Sequence, residues 1–252
     1  MEQKNSATEK KCNIFIACMP KSGSTYLSTL LTEATGFEKV PAIQIHNGVH
    51  YWYNEQDIYE GQLEKIAAID SVTQQHTKGT ENNVALMLKY NIRPVVLVRN
   101  VYDMLMSHYD HIEHDDHRQP VGFVHKEYFE MSYNEKIQFI IDMHLPWYFN
   151  FLISWHEASQ RVSTLWMTYE EVVFDHVTSV QKVLGFYGLH RETADIEAAI
   201  TSAQEKNTRF NKGTAGRGAS LDQRYKTDIT NKANVWKVAP HIFELIGIED
   251  CR

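Results

Sequence analysis

The sequence predicts an α/β fold in which one central, mostly parallel sheet is flanked by helices. Short apolar segments alternate with longer segments whose apolar residues have helical spacing, which indicates parallel strands joined by helices. The clearest strand is Pro94-Val95-Val96-Leu97-Val98, a continuously apolar run that is typical of burial on both faces. No internal repeat or low-complexity linker interrupts the 252 residues. We therefore expect one domain over residues 12–252, preceded by a disordered polar segment at residues 1–11.

The first half of the chain begins with a predicted strand and helix that are separated by a turn of small residues. The apolar run at residues 12–19 predicts the strand, and apolar residues at helical spacing follow from Tyr26 to Leu31. Residues 37–59 are rich in aromatic and histidine side chains and should be irregular or short-stranded. The next predicted elements are a helix at 55–67, a strand at 70–76, a helix at 81–91 capped by Thr80, and the strand at 94–98.

The second half of the chain is predicted to be mainly helical. Helical spacing covers residues 101–112, 134–159, 170–185 and 192–206, with one further strand at 162–167. Residues 213–223 are rich in Gly and predict a loop, and residues 232–246 predict a final helix. In the long segment, Trp147, Tyr148, Phe151 and Trp155 form an aromatic stripe that is interpreted as core packing.

Polar side chains follow three of the predicted strands. Lys21, His76 and Arg99 each stand just beyond a strand end. Ligands bind at the carboxyl ends of the strands in parallel sheets, so these three residues should meet at one edge.

The composition fits a globular protein that is not a general nucleic-acid binder. Hydrophobic residues make up 43% of the chain and charged residues 23%. The net charge of −7 is opposite to the basic character of most nucleic-acid-binding proteins. The three cysteines give no disulfide framework, and the apolar stretch near the start is too short for a membrane span. These features predict a cytoplasmic protein without a transmembrane segment.

The turn after the first strand reads Pro20-Lys21-Ser22-Gly23-Ser24-Thr25-Tyr26. Backbone N–H groups at the start of a helix attract phosphate, and Lys21 adds a full positive charge at the same place. A standard nucleotide-triphosphate loop has its Lys after the last Gly, whereas Lys21 stands two residues before Gly23. The turn therefore predicts a site for a phosphorylated cofactor, in a loop that differs from the standard nucleotide-triphosphate loop.

This turn resembles the 5′-phosphosulfate loop of sulfotransferases, which use 3′-phosphoadenosine 5′-phosphosulfate (PAPS). A second resemblance is Arg99 followed eight residues later by Ser107, a spacing at which the family binds the 3′-phosphate. The resemblance spans roughly residues 12–218 and implies the P-loop-NTPase-like sulfotransferase fold. The residues that it assigns to the cofactor loop are Lys21, Ser22, Gly23, Ser24, Thr25 and Tyr26.

The resemblance also implies a catalytic base. His76 occupies the position of the His in a Lys-Thr-His element of the family, although the Lys of that element is Gln74 here. It implies that His76 accepts the proton of an acceptor hydroxyl or amine, while Lys21 stabilises the leaving adenosine 3′,5′-bisphosphate (PAP). Ser107 is the third predicted catalytic residue. The scheme requires no metal.

Further matches lie in the C-terminal half. Segments 155–158, 168–171 and 180–188 resemble family segments, and in them Tyr169 would contact the adenine side of the cofactor. Thr201 stands in the place of an adenine-contacting residue. Asn211, Lys212 and Gly213 resemble an Arg-Lys-Gly loop that closes on the 3′-phosphate, with Asn211 in place of the Arg. Either Arg209 or Arg217 is available to replace that arginine.

The acceptor is expected to be a small molecule, a glycan or a lipid. Residues 46–59, which include Tyr51, Trp52 and Tyr53, are the best candidates for contacting it. No pattern in the sequence sets an oligomeric state.

Three other interpretations remain open on the sequence alone. The loop is compatible with a nucleotide kinase or ATPase, and Gln74 and Asn211 are compatible with a non-catalytic nucleotide-binding protein. The third concerns histidines at short spacing, two or three of which could share a helical face near metal-ligand geometry. The residues of this group are His108, His111, His114, His117 and His125, with Asp110, Glu113, Asp115 and Asp116.

Overall fold

We describe the protein from a computed structural model, which describes residues 11–46, 49–50, 56–114, 118–119, 121–206, 215–236 and 240–249. In these ranges the strands are β1 (Asn13–Cys18), β2 (Glu38–Lys39), β3 (Ile45–His46), β4 (Val49–His50), β5 (Ser71–Gln75), β6 (Pro94–Val98), β7 (Arg118–Gln119), β8 (Gly122–Phe123) and β9 (Leu165–Thr168).

The helices of the same ranges surround these strands. They are α1 (Ser24–Thr35), α2 (Glu60–Ile66), α3 (Glu81–Lys89), α4 (Val101–His114), α5 (Tyr133–Phe139), α6 (Leu145–Ala158), α7 (Tyr169–Phe174), α8 (His176–Phe186), α9 (Thr193–Glu205), α10 (Gln223–Ala233) and α11 (Pro240–Glu244). Single 3₁₀ turns lie at Lys126–Glu130 and Arg217–Ser220, and a π-helical turn at Ile140–His144 joins α5 to α6.

The central sheet has five parallel strands in the order β2-β5-β1-β6-β9. Its two faces pack against different helices, so the apolar core has two parts. Along β1, Ile14, Ile16 and Cys18 face α1, α8 and α9, whereas Phe15 and Ala17 belong to the core on the other side. This arrangement confirms the predicted α/β fold, and β6 is buried along its whole length as its apolar sequence predicts.

Most of the predicted elements are present, with shifted ends. The strand at 94–98 is confirmed residue for residue, and Thr80 caps α3 by accepting a hydrogen bond from the Asn83 amide. The predicted helix at 170–185 is two helices, because Asp175 leaves helical geometry and caps α8 through the Thr178 amide. The aromatic stripe of α6 is buried, as predicted, and Trp155 donates its indole N–H to the Thr77 carbonyl at 2.9 Å.

The prediction for the end of the chain is wrong. The expected single helix at 232–246 is replaced by α10, which ends at Ala233, and by the short α11, which starts at Pro240. Pro240 has no amide hydrogen to extend a helix and disfavours helical geometry in the residue before it, so it suits only a helix start. The apolar spacing that builds α10 lies upstream, where Tyr225, Ile229 and Ala233 are buried on one face.

A search for membrane-spanning helices in the described part of the chain finds none that is long and apolar enough.

Candidate active site

The turn between β1 and α1 is fixed by backbone geometry that few sequences adopt. Lys21 and Gly23 both have left-handed φ values, of 66° and 77°. The Ser22 hydroxyl donates to the Met19 carbonyl at 2.6 Å, and the Met19 amide donates to the Leu97 carbonyl of β6 at 3.1 Å. A positive φ is uncommon in a non-glycine residue, and residues of this kind cluster at functional sites. Gly23 is the N-cap residue of α1 and has no side chain. The backbone amides at the start of α1 therefore face this turn, as they do in an anion-binding site.

Tyr169 and Arg99 hold the turn from the side. A Cβ at Gly23 would lie only 2.7 Å from the Tyr169 ring, so the ring packs directly on the glycine. The Arg99 guanidinium lies 4.0 Å from the centroid of the same ring and donates to the Lys21 carbonyl at 2.9 Å. Arg99 is only 5% exposed, and its burial lowers the pKa of the guanidinium, an effect that Tyr169, Asp103 and Glu170 oppose. The buried guanidinium of Arg99 is therefore in contact with the loop.

His76 follows β5 at the same edge of the sheet. Its Nδ1 lies 3.1 Å from the Cys18 carbonyl oxygen and 3.3 Å from the Cys18 Sγ. A carbonyl oxygen can only accept a hydrogen bond, so this contact is a hydrogen bond in the tautomer that carries the proton on Nδ1. The lone pair is then on Nε2, which is the arrangement that a general base requires.

Gln74 lies beside this histidine on the α1 side of the sheet. Its side-chain amide donates to the Cys18 Sγ at 3.4 Å. The position that would carry a lysine in the sequence resemblance therefore holds an uncharged group packed against the end of β1.

One face of α4 places Ser107 between two carboxylates. Asp103, Ser107 and Asp110 follow Arg99 at intervals of four, four and three residues, so they share a helix face. Asp103 accepts hydrogen bonds from the amides of Gly216 and Gly218, each at 2.6 Å.

A salt bridge of 2.6 Å joins Arg217 to Asp110 on the same face. From the sequence, Asp110 was named only for the metal-site alternative and Asp103 was not singled out, although their helical spacing from Arg99 and Ser107 was a usable signal.

Tyr26 connects the loop to α9. It is buried, packs edge-on against His176 with ring centroids 5.3 Å apart, and shares a hydrogen bond with Gln204. Thr201 is exposed instead, and its hydroxyl donates back to the Glu197 carbonyl at 3.1 Å. The sequence predicts a cofactor contact from Thr201 of α9, whereas Gln204 of the same helix makes the contact with the loop.

Several predicted site residues lie outside the described residues. Asn211, Lys212, Gly213 and Arg209 fall in the range 207–214. Tyr51, Trp52 and Tyr53, which were proposed for the acceptor, fall in the range 51–55.

The described histidines of α4 do not form a group of the kind that the metal-site interpretation requires. His108 is fully buried and pairs with His144 of the π-helical turn, with 2.6 Å between its Nε2 and the His144 Nδ1. Burial lowers the pKa of both imidazoles, that of His144 to about 4. Within the described ranges, no three His, Cys, Asp or Glu side chains are grouped closely enough to bind a metal ion. Of the histidines that the alternative named, His117 lies outside those ranges.

Comparisons with known proteins bear on the family and the fold. A family model described as a sulfotransferase domain matches residues 11–232. The chain is similar to mouse sulfotransferase SULT7A1 complexed with PAP, with 15% identity and a TM-score of 0.67 over 94% of this chain and 88% of that chain. It is also similar to retinol dehydratase in complex with androsterone and the inactive cofactor PAP, with 15% identity and a TM-score of 0.57 over 95% and 82%. A comparison with curated proteins finds no match. At this identity, the structural likeness shows the fold alone.

Proposed function

The chain belongs to the sulfotransferase family, and from this premise we propose that it transfers a sulfuryl group from PAPS to the hydroxyl or amine of an acceptor. The observation that carries the proposal is that Arg99 and His76 both contact residues 18–21, at the end of β1 and in the turn after it. Arg99 bonds the Lys21 carbonyl and His76 bonds the Cys18 carbonyl. A cation suited to phosphate and a base suited to the acceptor therefore contact one short segment of the chain.

The residues present fit a nucleotide with phosphates on both sides of its ribose. The backbone amides of Ser22, Gly23, Ser24 and Thr25 would bind the 5′-phosphate at the start of α1. Arg99 and Ser107 would bind the 3′-phosphate, with Lys212 as a further candidate. Tyr169, which covers Gly23, and Tyr26, which lies beside α9, would contact the adenosine, with Thr201 as a candidate for the adenine end.

When bound, PAPS would supply the sulfuryl group to the oxygen or nitrogen of the acceptor, and PAP would be the leaving group. The acceptor proton passes to Nε2 of His76, and the resulting imidazolium keeps its Nδ1–H bond to the Cys18 carbonyl. Lys21 neutralises the charge that develops on the bridging oxygen. The protein therefore contributes positioning and charge stabilisation, as in phosphoryl transfer.

Calorimetric binding of PAP, with ATP plus magnesium as the comparison ligand, tests the cofactor. We expect the wild type to bind PAP more tightly, and Lys21→Ala and Arg99→Ala to weaken this binding. Tight binding of ATP without a preference for PAP would instead support the kinase alternative.

Transfer of radiolabelled sulfate from PAPS to a panel of acceptors tests the reaction. A small-molecule alcohol is a reasonable first acceptor, because the structures similar to this chain include one with androsterone and one with retinol. Phenols, glycans and lipid alcohols complete the panel. PAP binding without transfer to any acceptor class would favour the non-catalytic alternative.

A further inference from the structure

We propose that Cys18 is a positioning residue for His76, because its thiol and its carbonyl oxygen together hold the imidazole in the tautomer that leaves Nε2 as the base. Gln74 assists by holding the thiol in place. The inference rests on the proposed function for the role of His76 as a base. The tautomer of the ring is also a property of the free protein, and it can be measured without any reaction.

Residues 74–76, at the end of β5 and directly after it, all contact the Cys18 sulfur. The Gln74 Nε2 lies 3.4 Å from the Cys18 Sγ, and the Gln75 carbonyl oxygen lies 3.4 Å from the same atom. The His76 Nδ1 lies 3.3 Å from this sulfur and 3.1 Å from the Cys18 carbonyl oxygen. In the parallel register of β1 and β5, Ala17 pairs with Gln75, and Cys18 stands at the next step. One residue of β1 therefore contacts three consecutive residues.

The donors and acceptors of this group favour one arrangement of protons. The single thiol proton is directed to the Gln75 carbonyl oxygen, which can only accept a hydrogen bond. The Gln74 amide donates to the sulfur. The sulfur and the carbonyl oxygen of Cys18 are then both acceptors toward His76, and one proton on Nδ1 satisfies both. The lone pair of the neutral ring is left on Nε2.

The same contacts disfavour the opposite tautomer. A lone pair on the His76 Nδ1 would face the lone pairs of the Cys18 carbonyl oxygen at 3.1 Å. The thiol could donate to Nδ1 only by giving up the Gln75 carbonyl oxygen, which its proton now reaches. The change of tautomer would therefore lose the hydrogen bond to the Cys18 carbonyl oxygen and redirect the one thiol proton.

Burial strengthens these hydrogen bonds. Cys18 is 0% exposed and Gln75 is 1% exposed, so water does not reach the sulfur. A sulfur atom is a weak acceptor and a thiol is a weak donor, but their hydrogen bonds are stronger in a region of low dielectric than in water. Gln74 carries no charge, so its amide bonds the sulfur without stabilising a thiolate, as a cation would. The thiol therefore keeps the proton that it donates to Gln75.

Nitrogen-15 NMR of the full chain, labelled at histidine, tests the inference without any ligand. The chemical shifts of the two ring nitrogens show which of them carries the proton, and comparison with His76→Ala identifies this ring among the 13 histidines. At about pH 8, where ordinary imidazoles are neutral, we expect the proton on Nδ1 in the wild type. A wild-type ring with its proton on Nε2 would overturn the inference before any Cys18 variant is made.

Cys18→Ala removes the thiol and keeps the carbonyl oxygen. It should lower the ratio of the Nδ1–H tautomer to the Nε2–H tautomer by about 2–10-fold, the effect of one net hydrogen bond. Cys18→Ser keeps a hydrogen-bonding group and should stay within about twofold of the wild-type ratio. Cys12→Ala is the matched control, since this half-buried cysteine precedes β1 at its other end and should leave the ratio unchanged. An unchanged ratio in Cys18→Ala would show that the carbonyl oxygen acts alone, and the inference would be wrong.

Gln74→Leu tests the part played by the amide. It should lower the tautomer ratio in the same direction, and the double variant with Cys18→Ala should lower it no further than Cys18→Ala alone. Additive effects in the double variant would contradict the role of Gln74 as a support for the thiol. Thermal unfolding of each variant shows whether it is folded.

Kinetics separate a positioning role of the sulfur from a general structural role. With PAPS and an acceptor, Cys18→Ala should lower kcat about 2–10-fold and leave PAP affinity within about twofold, and Cys18→Ser should recover most of kcat. A disturbed turn, which starts two residues after Cys18, would instead weaken PAP binding as well. Equal losses of kcat and PAP affinity in Cys18→Ala would therefore contradict the inference.

The results also separate the inference from the proposed function. If the tautomer responds as expected but the protein neither binds PAP nor transfers sulfate to any acceptor, the proposed function fails while Cys18 still sets the tautomer of the ring. If transfer is observed and the wild-type His76 carries its proton on Nε2, the inference alone is wrong.

Discussion

In the proposed reaction, the carbonyl oxygen of Cys18 prepares His76 to accept a proton. It lies 3.1 Å from Nδ1 and favours the tautomer protonated there, which leaves the basic lone pair on the other ring nitrogen. The carbonyl belongs to the last residue of β1, and its position is therefore set by the sheet. The end of β1 therefore contacts His76 both through this carbonyl and through the Cys18 Sγ, which lies 3.3 Å from the same nitrogen.

We predict that His76→Ala lowers kcat about 10²–10⁴-fold, the usual contribution of a general base, and leaves PAP affinity unchanged. Single-turnover transfer from PAPS and calorimetry with PAP measure the two quantities. His190→Ala is a control, since His190 is exposed and pairs only with Glu192 among the described residues. An equal loss of PAP affinity in His76→Ala would assign the histidine to cofactor binding instead.

Gly23 allows a second prediction, because Gly36 provides a matched control on the same helix. Both glycines have left-handed φ values, of 77° and 72°, so alanine costs each about 1–2 kcal/mol in backbone strain. At Gly23 the new Cβ would also lie 2.7 Å from the Tyr169 ring, whereas nothing lies within 4 Å at Gly36.

Gly23→Ala should therefore destabilise the protein more than Gly36→Ala in urea unfolding. It should also weaken PAP binding, which Gly36→Ala should not. Tyr169→Ala should cost less stability in the Gly23→Ala background than in the wild type, because there it also removes the clash. Equal effects of the two glycine substitutions would show that Tyr169 moves aside without cost.

At the scale of elements, the sequence predicts those parts of the fold that depend on local patterns. The apolar run of β6 and the Thr80 cap of α3 are found where the sequence places them. The parallel orientation of the strands follows from the alternation of strands and helices, whereas the order β2-β5-β1-β6-β9 was not predicted. The helical structure at the end of the chain was mispredicted, because the buried face of α10, at Tyr225 and Ile229, lies between the predicted loop at 213–223 and the predicted helix at 232–246.

Contacts between distant segments could not be predicted in this way. The bond from Gly216 to Asp103 spans 113 residues, and the bond from the Phe15 amide to the Tyr187 hydroxyl spans 172. Neither leaves a periodic pattern in the sequence. The residues Lys21 and Arg99 could therefore be predicted from their positions at strand ends and Ser107 from its spacing, whereas the contacts of Asp103 with Gly216 and Gly218 could not.

Tyr187 supports a prediction about the sheet itself. Its hydroxyl accepts from the Phe15 amide at 3.0 Å and donates to the Arg93 carbonyl, so it joins β1 to the start of β6 at the edge opposite the active site. Tyr187→Phe leaves both buried backbone groups without this partner and should lower the free energy of unfolding by about 1–3 kcal/mol. Urea unfolding measures the loss.

PAP affinity of Tyr187→Phe should equal that of the wild type, because the hydroxyl lies at the far ends of the strands. Tyr133→Phe is the control, since its hydroxyl bonds only the Met106 sulfur among the described groups and the ring is exposed. A large loss of PAP affinity in Tyr187→Phe would show that the candidate active site depends on the opposite ends of the strands.

At the scale of the whole molecule, one buried histidine pair links elements of the core that support the candidate active site. His108 belongs to α4, which also carries Ser107, and His144 belongs to the π-helical turn before α6. Tyr148 packs against His108 with ring centroids 6.1 Å apart and donates to the Pro20 carbonyl at 3.4 Å. Protonation of this pair should therefore affect the stability of the protein as a whole.

The sign of the pH effect follows from the lowered pKa values. Burial lowers the pKa of His144 from 6.5 to about 4, and the pKa of His108 is lowered in the same direction by burial and by the nearby His144. Between these values the unfolded chain binds protons that the folded protein does not, so stability falls as the pH drops from 6.5 to about 4. For His144, a shift of this size corresponds to about 3 kcal/mol.

We therefore expect the free energy of unfolding to decrease more steeply over this pH range in the wild type than in His144→Gln, which cannot be protonated. Carboxylates that titrate in the same range are present in both proteins and cancel in the difference. His190→Gln, an exposed control, should keep the steep slope of the wild type. If His144→Gln is too unstable to measure, the imidazole signals of the folded wild type provide the second test, because a pair that titrates near pH 6.5 in the folded protein would contradict the prediction.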